Sequence, residues 1–276
     1  MKIGKCRFCG NRRKLIGAHI IPHAIFKSIR GQDGPLKLYT TWEETPSEKS
    51  KGFVDHNLTC GECDNSFSSY ENYLVNYIKS QYNTNGERFG NTTALIDKNY
   101  NYKEFKLAIL ATLWRAHETN DEHFANVQLT GASANKIKTM LQNGDPGTEA
   151  DFPIYVGRIK SDEYNDKLPL LVLDPVSVGE CNHEFLMLGW RFIICQNNKD
   201  YGPHACLSEN QLIAIDYSLE GSQEEEDILK ILKMDPKKID KEITKNRKIP
   251  IYVIILFIII FIWALFIKSN IIKLKH

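Results

Sequence analysis

The spacing of hydrophobic and polar positions changes several times along the chain, and three stretches have the spacing of helices. After Cys63, apolar and aromatic residues recur every three or four positions, which predicts a helix over about 64–81. A second helix is predicted over 103–119 by a broad apolar face. A third is predicted over about 132–143, because its apolar pattern stops at Gly144 and a proline follows soon after.

Longer apolar runs without helical spacing predict β-strands in the second half of the chain. These runs cover 152–159, 168–174, 184–195 and 207–217. Because the runs lack strict alternation, they are typical of strands covered on both faces, or of a curled antiparallel sheet against two helices. The segments 31–52 and 81–93 are rich in turn-forming residues and predict loops, the first with one short strand near 36–40. The chain as a whole is therefore predicted to have an α+β fold.

One stretch near the C-terminus differs from all others because it is apolar throughout. Residues 249–267 are 19 consecutive residues without a charge, and a bilayer core of about 30 Å needs roughly 20 apolar residues in a helix. The stretch predicts a C-terminal transmembrane helix; a buried helix of a soluble domain is the alternative. Six Lys and Arg residues precede it in 237–248 and three follow it. This asymmetry favours a single-pass membrane protein with its N-terminal domain in the cytoplasm.

These patterns divide the chain into four predicted segments. They are a cysteine-containing region (1–82), an α+β domain (100–218), a charged helical stalk (219–248) and the transmembrane helix (249–267). The sequence does not indicate a role for the α+β domain. The stalk begins with acidic residues and then becomes basic, which suits the dipole of a helix; a flexible charged linker is its alternative.

The formal net charge of +1 conceals a strongly basic N-terminus. The first 30 residues contain eight Lys and Arg residues and no acid. Concentrated positive charge suits contacts with phosphate, so DNA is a predicted partner. The candidates for these contacts are the basic residues nearest the first cysteines: Arg7, Arg12, Arg13 and Lys14. A solvated surface, or a countercharge for a metal–thiolate centre, is the alternative.

Four of the seven cysteines form two C-x-x-C pairs, Cys6 with Cys9 and Cys60 with Cys63. Such pairs hold Zn²⁺ tetrahedrally through thiolates, and a site with four thiolates is closed and therefore structural. Zinc would close a loop of about fifty residues that has too few apolar side chains to fold alone. The other three cysteines are irregularly spaced and are interpreted as core or surface residues.

Further motifs lie between and after the two cysteine pairs. They are Ala18-His19-Ile20-Ile21-Pro22, then Asn57-Leu58, then Asp64-Asn65 directly after the second pair. This order resembles that of the HNH, or His-Me finger, endonucleases, in the branch whose ββα site is braced by four zinc-binding cysteines. The resemblance covers about residues 4–78 and implies a zinc-braced, treble-clef-like ββα-metal region at the N-terminus.

The resemblance also implies roles for individual residues. His19 would be the general base that takes a proton from the attacking water. Asn57 would hold the histidine loop through a hydrogen bond, and Asp64 would bind a catalytic Mg²⁺ or Mn²⁺ ion. Glu71, one or two helical turns beyond Asp64, is a further candidate ligand of that ion; a salt-bridge partner is its alternative.

This chain departs from the family pattern at two positions. Many members carry an aspartate, as a second metal ligand, where this chain has Ala18, and they often carry His or Asn where it has Asp64. The resemblance implies a membrane-anchored endonuclease that hydrolyses DNA phosphodiester bonds with a divalent metal, as a defence effector or a toxin. The alternative is a non-catalytic zinc-binding module that binds nucleic acid or protein at the membrane.

Overall fold

A computed structural model describes residues 3–29, 52–163, 165–166, 168–170, 172–178, 182–196 and 207–219, together with the backbone of 36–38 and 47–49. The described residues before 37 and from 49 to 218 belong to one compact unit, whose fold is given below. In this part of the chain no helix is long and apolar enough to cross a membrane. The predicted stalk beyond Leu219 and the predicted span at 249–267 lie outside the described residues.

The unit mixes helices and strands, as an α+β fold requires. The described α-helices are α1 (His23–Ile29), α2 (Gly61–Ser66), α3 (Ser68–Gln81), α4 (Tyr102–Glu118) and α5 (Gly131–Asn143). The described strands are β1 (Ile3–Lys5), β2 (Arg12–Lys14), β3 (Ala18–His19), β4 (Leu36–Leu38), β5 (Ser47–Lys49), β6 (Val54–Asp55), β7 (Glu87–Phe89), β8 (Thr92–Asp97), β9 (Ile154–Lys160), β10 (Val172–Val178), β11 (Asn182–Met187), β12 (Trp190–Cys195) and β13 (Leu212–Ser218).

Seven strands form the main sheet, in the order β10-β11-β12-β9-β13-β8-β7. Adjacent strands are antiparallel, except for β9 and β13, which pair in parallel. Strand β9 is buried along almost its whole length, as expected for a central strand that is covered on both faces. The remaining described strands form three short pairs, β1 with β2, β3 with β6, and β4 with β5.

Helix α4 lies at the centre of the hydrophobic core. The side chain of its N-cap residue, Asn101, accepts the backbone N–H of Glu104 at 3.1 Å, which satisfies one donor that the helix leaves unpaired. Thirteen residues of the helix are buried. The ring of Phe105 packs 6.1 Å from that of Phe192 in β12, centre to centre, so the helix lies against the main sheet. The helix predicted over 103–119 is therefore confirmed.

Two predicted elements are each divided in the structure. The helix predicted over 64–81 is two helices, α2 and α3, which meet at the fully buried Phe67. The strand predicted over 184–195 is a hairpin of β11 and β12 that turns at Leu188-Gly189. Both turn residues have positive φ angles, 53° and 79°, as the tight turns of hairpins require. A leucine in that conformation is uncommon, so the apolar run conceals the turn.

Other predicted elements differ from the structure in extent. The loop predicted over 81–93 contains β7 and the start of β8, which meet in a tight turn at Gly90 with a φ of 60°. Strands β10 and β13 begin later than the predicted strands, because a 3₁₀ turn and a turn closed by the Ser208 hydroxyl precede them. Helix α1 lies where the sequence predicts no helix. Pro22 directly precedes this helix, but in the sequence it is interpreted only as part of the Ala18–Pro22 motif.

A buried ion pair joins the main sheet to the C-terminal end of α3. The Arg158 side chain is fully buried, and its Nε and Nη2 donate to the two carboxylate oxygens of Asp216 at 2.7 and 2.9 Å. Its Nη1 donates to the carbonyl oxygens of Gln81 and Thr84 at 2.8 and 2.7 Å. These carbonyls lie at and beyond the end of the helix, where intrahelical donors run out. Arg158 therefore caps α3 from the sheet.

We expect Asp216→Ala to destabilise the protein by about 3 kcal/mol, because it leaves the Arg158 guanidinium buried without its carboxylate. Lys136→Ala is the matched control, since it breaks the exposed ion pair of Lys136 with Asp151 and should cost less than about 1 kcal/mol. Urea unfolding followed by tryptophan fluorescence measures both losses. Equal losses in the two variants would show that the buried pair does not stabilise the fold.

Candidate metal centre and adjoining residues

The four cysteines of the C-x-x-C pairs come together in the folded chain. The Sγ atoms of Cys6, Cys9, Cys60 and Cys63 all lie within 4.8 Å of one another. A tetrahedral Zn²⁺ with bonds of about 2.3 Å needs its sulfur ligands roughly 3.8 Å apart, so the arrangement fits a metal ion such as zinc. Among the described residues, no other group of three or more His, Cys, Asp or Glu side chains is placed to hold a metal ion.

The first cysteine pair is positioned by a tight turn between β1 and β2. Cys6 donates its N–H to the carbonyl of Asn11 at 2.9 Å, and Gly10 donates its N–H to the carbonyl of Cys6 at 2.9 Å. Gly10 has a φ of 77°, which a residue without a Cβ adopts at little cost. This turn brings Cys9 back beside Cys6.

The second pair lies where an extended segment enters α2. Leu15, directly after β2, forms a β-bridge with Cys60, and Cys60 donates its N–H to the Sγ of Cys6 at 3.4 Å. Cys60 is also the N-cap residue of α2. Cys63 therefore follows within the first turn of that helix, where its sulfur can reach the same ion.

The loop of the first pair is anchored on two helices of the α+β region. The Phe8 ring is buried and packs edge to face against Phe67 and Trp114, with ring centres 4.9 and 5.2 Å away. Gln142 of α5 donates its side-chain amide to the carbonyl of Phe8 at 2.8 Å. The metal centre is thus held against the helices by both apolar packing and a hydrogen bond.

The thiols of the centre differ in their electrostatic surroundings. Burial raises the pKa of Cys6, but backbone N–H donors, first that of Cys9 and then that of Cys60, outweigh this effect and bring the pKa to about 7. Burial raises the pKa of Cys63 well above its usual range, and a hydrogen bond with Cys60 raises it further. A bound divalent cation would lower the pKa of Cys63 instead, because metal binding stabilises the thiolate form and releases protons.

His19 lies on β3, four positions after Leu15, which bridges to Cys60. Strands β3 and β6 are antiparallel, with Ala18 opposite Asp55 and His19 opposite Val54. Helix α2 follows β6 in the chain, whereas α1, β4 and β5 lie between β3 and β6. The ring of His19 lies 4.6 Å from that of His23, the first residue of α1, measured between ring centres. Two imidazoles therefore lie together at this edge of the strand pair.

Asn57 lies on an exposed turn that a buried carboxylate holds. The Oδ1 of Asp55 accepts the N–H of Asn57 at 2.7 Å, and its Oδ2 accepts the hydroxyl of Thr119 at 2.8 Å. Asp55 is 7% exposed and joins the Asn57 turn to the C-terminal end of α4. The sequence predictions do not include Asp55. An aspartate two positions before a turn residue is a sequence signal of such an Asx turn. No nearby sequence feature predicts the contact of Asp55 with Thr119.

Asp64 and Glu71 lie together around a buried guanidinium. Asp64 of α2 accepts a hydrogen bond from the Thr59 hydroxyl at 3.4 Å. Burial raises the pKa of Asp64, and the charge of Arg115 in α4 opposes this effect. Glu71 forms an ion pair with Arg115, whose side chain is only 2% exposed. Glu71 therefore has a cationic partner within the protein, as its salt-bridge alternative anticipates.

Two of the four basic candidates form ion pairs. The Nη1 of Arg7 lies 3.8 Å from the Oε2 of Glu118, and Arg13 pairs with Glu62. The Glu62 carboxylate raises the pKa of Arg13 above its usual range. The backbone of Arg7 is also bound, because its carbonyl accepts the Nζ of Lys138 at 2.6 Å. Arg7 therefore helps to hold the first cysteine loop in place, whereas the Arg13 pair is exposed and joins β2 to α2.

The other two basic candidates lie on one face of the β1–β2 ribbon. Arg12 pairs with Lys5 in the register of the ribbon, and Lys14 pairs with Ile3. Paired residues of an antiparallel ribbon, and those two positions along, share a face, and all four side chains are exposed. The cations Lys5, Arg12 and Lys14 thus form one surface, which we call the basic ribbon face.

Comparisons with known proteins leave the site to be interpreted from its own geometry. No protein-family model, curated protein or solved structure matches the chain. The four-cysteine centre, the strand pair that carries His19 and the basic ribbon face are therefore the observations on which a function rests.

We expect Cys60→Ser to abolish metal binding at the centre, because a closed tetrahedral site loses one thiolate. Cys195→Ser is the matched control, since Cys195 is a buried cysteine of β12 outside the cluster, and it should keep one metal ion per chain. Plasma mass spectrometry of dialysed protein measures the metal content. Equal metal content in Cys60→Ser and the wild type would contradict the assignment of the four cysteines to one site.

Proposed function

We propose that the chain is a zinc-braced endonuclease of the HNH type, which hydrolyses phosphodiester bonds of DNA at a membrane. One observation carries the proposal: the four cysteines converge, and the chain between and after the two pairs places His19 on β3 of a strand pair, Asn57 on the turn after β6, and Asp64 on α2. The same residues carry the resemblance to this family in the sequence. The membrane location rests on the apolar stretch at 249–267 alone.

Zinc is the ion that we propose for the cysteine centre. Tetrahedral thiolate sites select zinc or iron–sulfur clusters, and C-x-x-C pairs at one compact centre are typical of structural zinc. Because four thiolates fill the coordination of the ion, its contribution is to folding and not to hydrolysis. It would hold Cys6 and Cys60 together, although 54 positions separate them in the chain.

His19 is the general base of the proposed mechanism. A neutral imidazole accepts a proton from water while the oxygen of that water attacks the phosphorus. The orientation of the ring depends on β3, which is paired with β6 and ends at His19, four positions before α1 begins. Asn57 follows β6 on the turn that Asp55 holds, and its amide is the group that we assign to supporting the histidine strand.

Asp64 is the residue that would hold a catalytic divalent ion. Mg²⁺ prefers oxygen ligands and commonly binds through one or two carboxylates while it keeps several waters. When bound, such an ion offsets negative charge on the phosphate and on the leaving oxygen. Glu71 is paired with Arg115, so a metal ion at Glu71 would have to displace the guanidinium. The charge of Arg115 also acts on Asp64, but the ion pair described for Arg115 is with Glu71. We therefore assign the ligand role to Asp64 and leave Glu71 with its arginine.

A second candidate function is a zinc-binding module that binds nucleic acid without cleaving it. Two observations favour this alternative: Ala18 is fully buried where many family members carry a metal ligand, and Glu71 is paired with Arg115. Such a module would bind through the basic ribbon face and would lose affinity as the salt concentration rises. Cleavage in the presence of Mg²⁺ or Mn²⁺ separates the two functions.

We expect His19→Ala to lower the cleavage of plasmid DNA by at least about 100-fold, the usual contribution of a general base. Asp64→Asn should also impair cleavage, whereas Glu62→Gln, at an exposed acid of the same helix, should not. Gel assays with Mg²⁺ or Mn²⁺ give the rates, and metal content and thermal unfolding report whether each variant is folded. A His19→Ala variant that cleaves like the wild type would rule out the proposed nuclease.

We expect the double variant Arg12→Ala/Lys14→Ala to weaken DNA binding and to reduce the salt dependence of log K by about 2, since each lost phosphate contact lowers the slope by about 1. The matched control is Arg88→Ala/Lys98→Ala, which removes two exposed cations elsewhere on the surface. Fluorescence anisotropy with a short duplex at several salt concentrations gives both slopes. Identical slopes in the two double variants would exclude the basic ribbon face as the binding surface.

A further inference from the structure

The four cysteines of the metal centre are not equally accessible. Cys6 and Cys60 are 0% and 2% exposed, and the Sγ of Cys6 also accepts the N–H of Cys60. As whole residues, Cys9 and Cys63 are less buried than Cys6 and Cys60. The centre therefore has an inner pair and an outer pair of cysteines, and each C-x-x-C motif contributes one cysteine to each pair.

The outer pair lies in the wall of an open cleft. The cleft has a volume of about 450 Å³ and runs between the first cysteine loop, α2 and the C-terminal end of α5. Cys9, Cys63 and Asn143 line it, whereas Cys6 and Cys60 do not. A small molecule in the cleft therefore contacts the two outer cysteine residues and neither of the inner ones.

We propose that Cys9 and Cys63 are a site of oxidation, at which a peroxide entering through the cleft converts the two outer thiolates into a disulfide and releases the zinc. The two sulfurs lie within 4.8 Å of each other, so one can react with the other after a local movement. The proposal requires the zinc assigned above, but it does not require nuclease activity.

The reaction balances with a peroxide as its only co-reactant. One thiolate attacks a peroxide oxygen, which breaks the O–O bond, releases hydroxide and leaves a sulfenic acid. The second thiolate attacks the sulfenic sulfur, forms the S–S bond and releases a second hydroxide. Sulfur gives up two electrons and the peroxide gains them. Zinc is left with two of its four ligands and dissociates, while the new disulfide still joins the first cysteine loop to α2.

The test uses the full chain loaded with one zinc ion and hydrogen peroxide as the oxidant. A chromogenic chelator follows zinc release, and peptide mass spectrometry identifies the first disulfide. We expect one zinc to be released per Cys9–Cys63 disulfide, and a thiol reductant with added zinc to restore the starting state. A first disulfide that contains Cys6 or Cys60 would overturn the proposal.

A matched pair of variants tests the route through the cleft. Asn143→Trp places a large side chain in the cleft wall, while Asn135→Trp makes the same change at an exposed position of α5 away from the cleft. We expect the first variant to slow zinc release at least about fivefold, because thiol oxidation depends on access to the sulfur, and the second to leave the rate unchanged.

The outcomes separate this proposal from the ones on which it rests. Equal rates of release in the two tryptophan variants would overturn the oxidation site while leaving the zinc centre in place. A chain that binds no zinc before oxidation would overturn the zinc assignment and this proposal together. The plasmid assay with His19→Ala reports on nuclease activity independently of both.

Discussion

The four cysteine sulfurs lie within 4.8 Å of one another, and as thiolates they would repel strongly without a cation between them. At an effective dielectric constant of about 20, two unit charges 4 Å apart repel by about 4 kcal/mol, and four thiolates make several such pairs. A divalent ion turns this repulsion into attraction. We expect the β1–β2 ribbon to depend most on that change, because none of its strand residues is buried.

Phe8 transmits this constraint to the rest of the molecule. It lies between Cys6 and Cys9 in the chain, and its ring packs against Trp114 in the most buried helix. That helix contacts the main sheet through Phe105. The cysteine region and the α+β region, which the sequence presents as separate segments, are therefore packed together in one compact unit. Loss of a metal ion bound at the four cysteines would therefore also disturb packing beyond the N-terminal loop.

The features that the sequence predicts correctly are those with a local signal. The C-x-x-C spacing identifies the four cysteines that converge, and helical spacing with a glycine stop locates α5 to within one residue. The hairpin at Leu188-Gly189 is missed because a leucine occupies a turn position that usually carries Asn, Asp or Gly.

Features that depend on distant partners lie beyond such reasoning. Glu71 meets an arginine 44 positions away, and no spacing rule relates the two. The structural role of Asp55 is likewise not predictable from the sequence, because its contact with Thr119 spans 64 positions. In both cases the acid is easy to find in the sequence, but its role is set by packing between elements that only the folded chain brings together.

The pairing of Ala18 with Asp55 explains why an uncharged residue suits position 18. The two residues are directly opposite on β3 and β6, and both are buried. Cβ atoms at such positions are about 5 Å apart, so an aspartate at position 18 would bring a second carboxylate against the first in a site with little water. One of the two would have to take up a proton or turn outward. Positions 18 and 55 can therefore hold only one charged, inward-facing carboxylate between them. In this chain β6 supplies it, as Asp55.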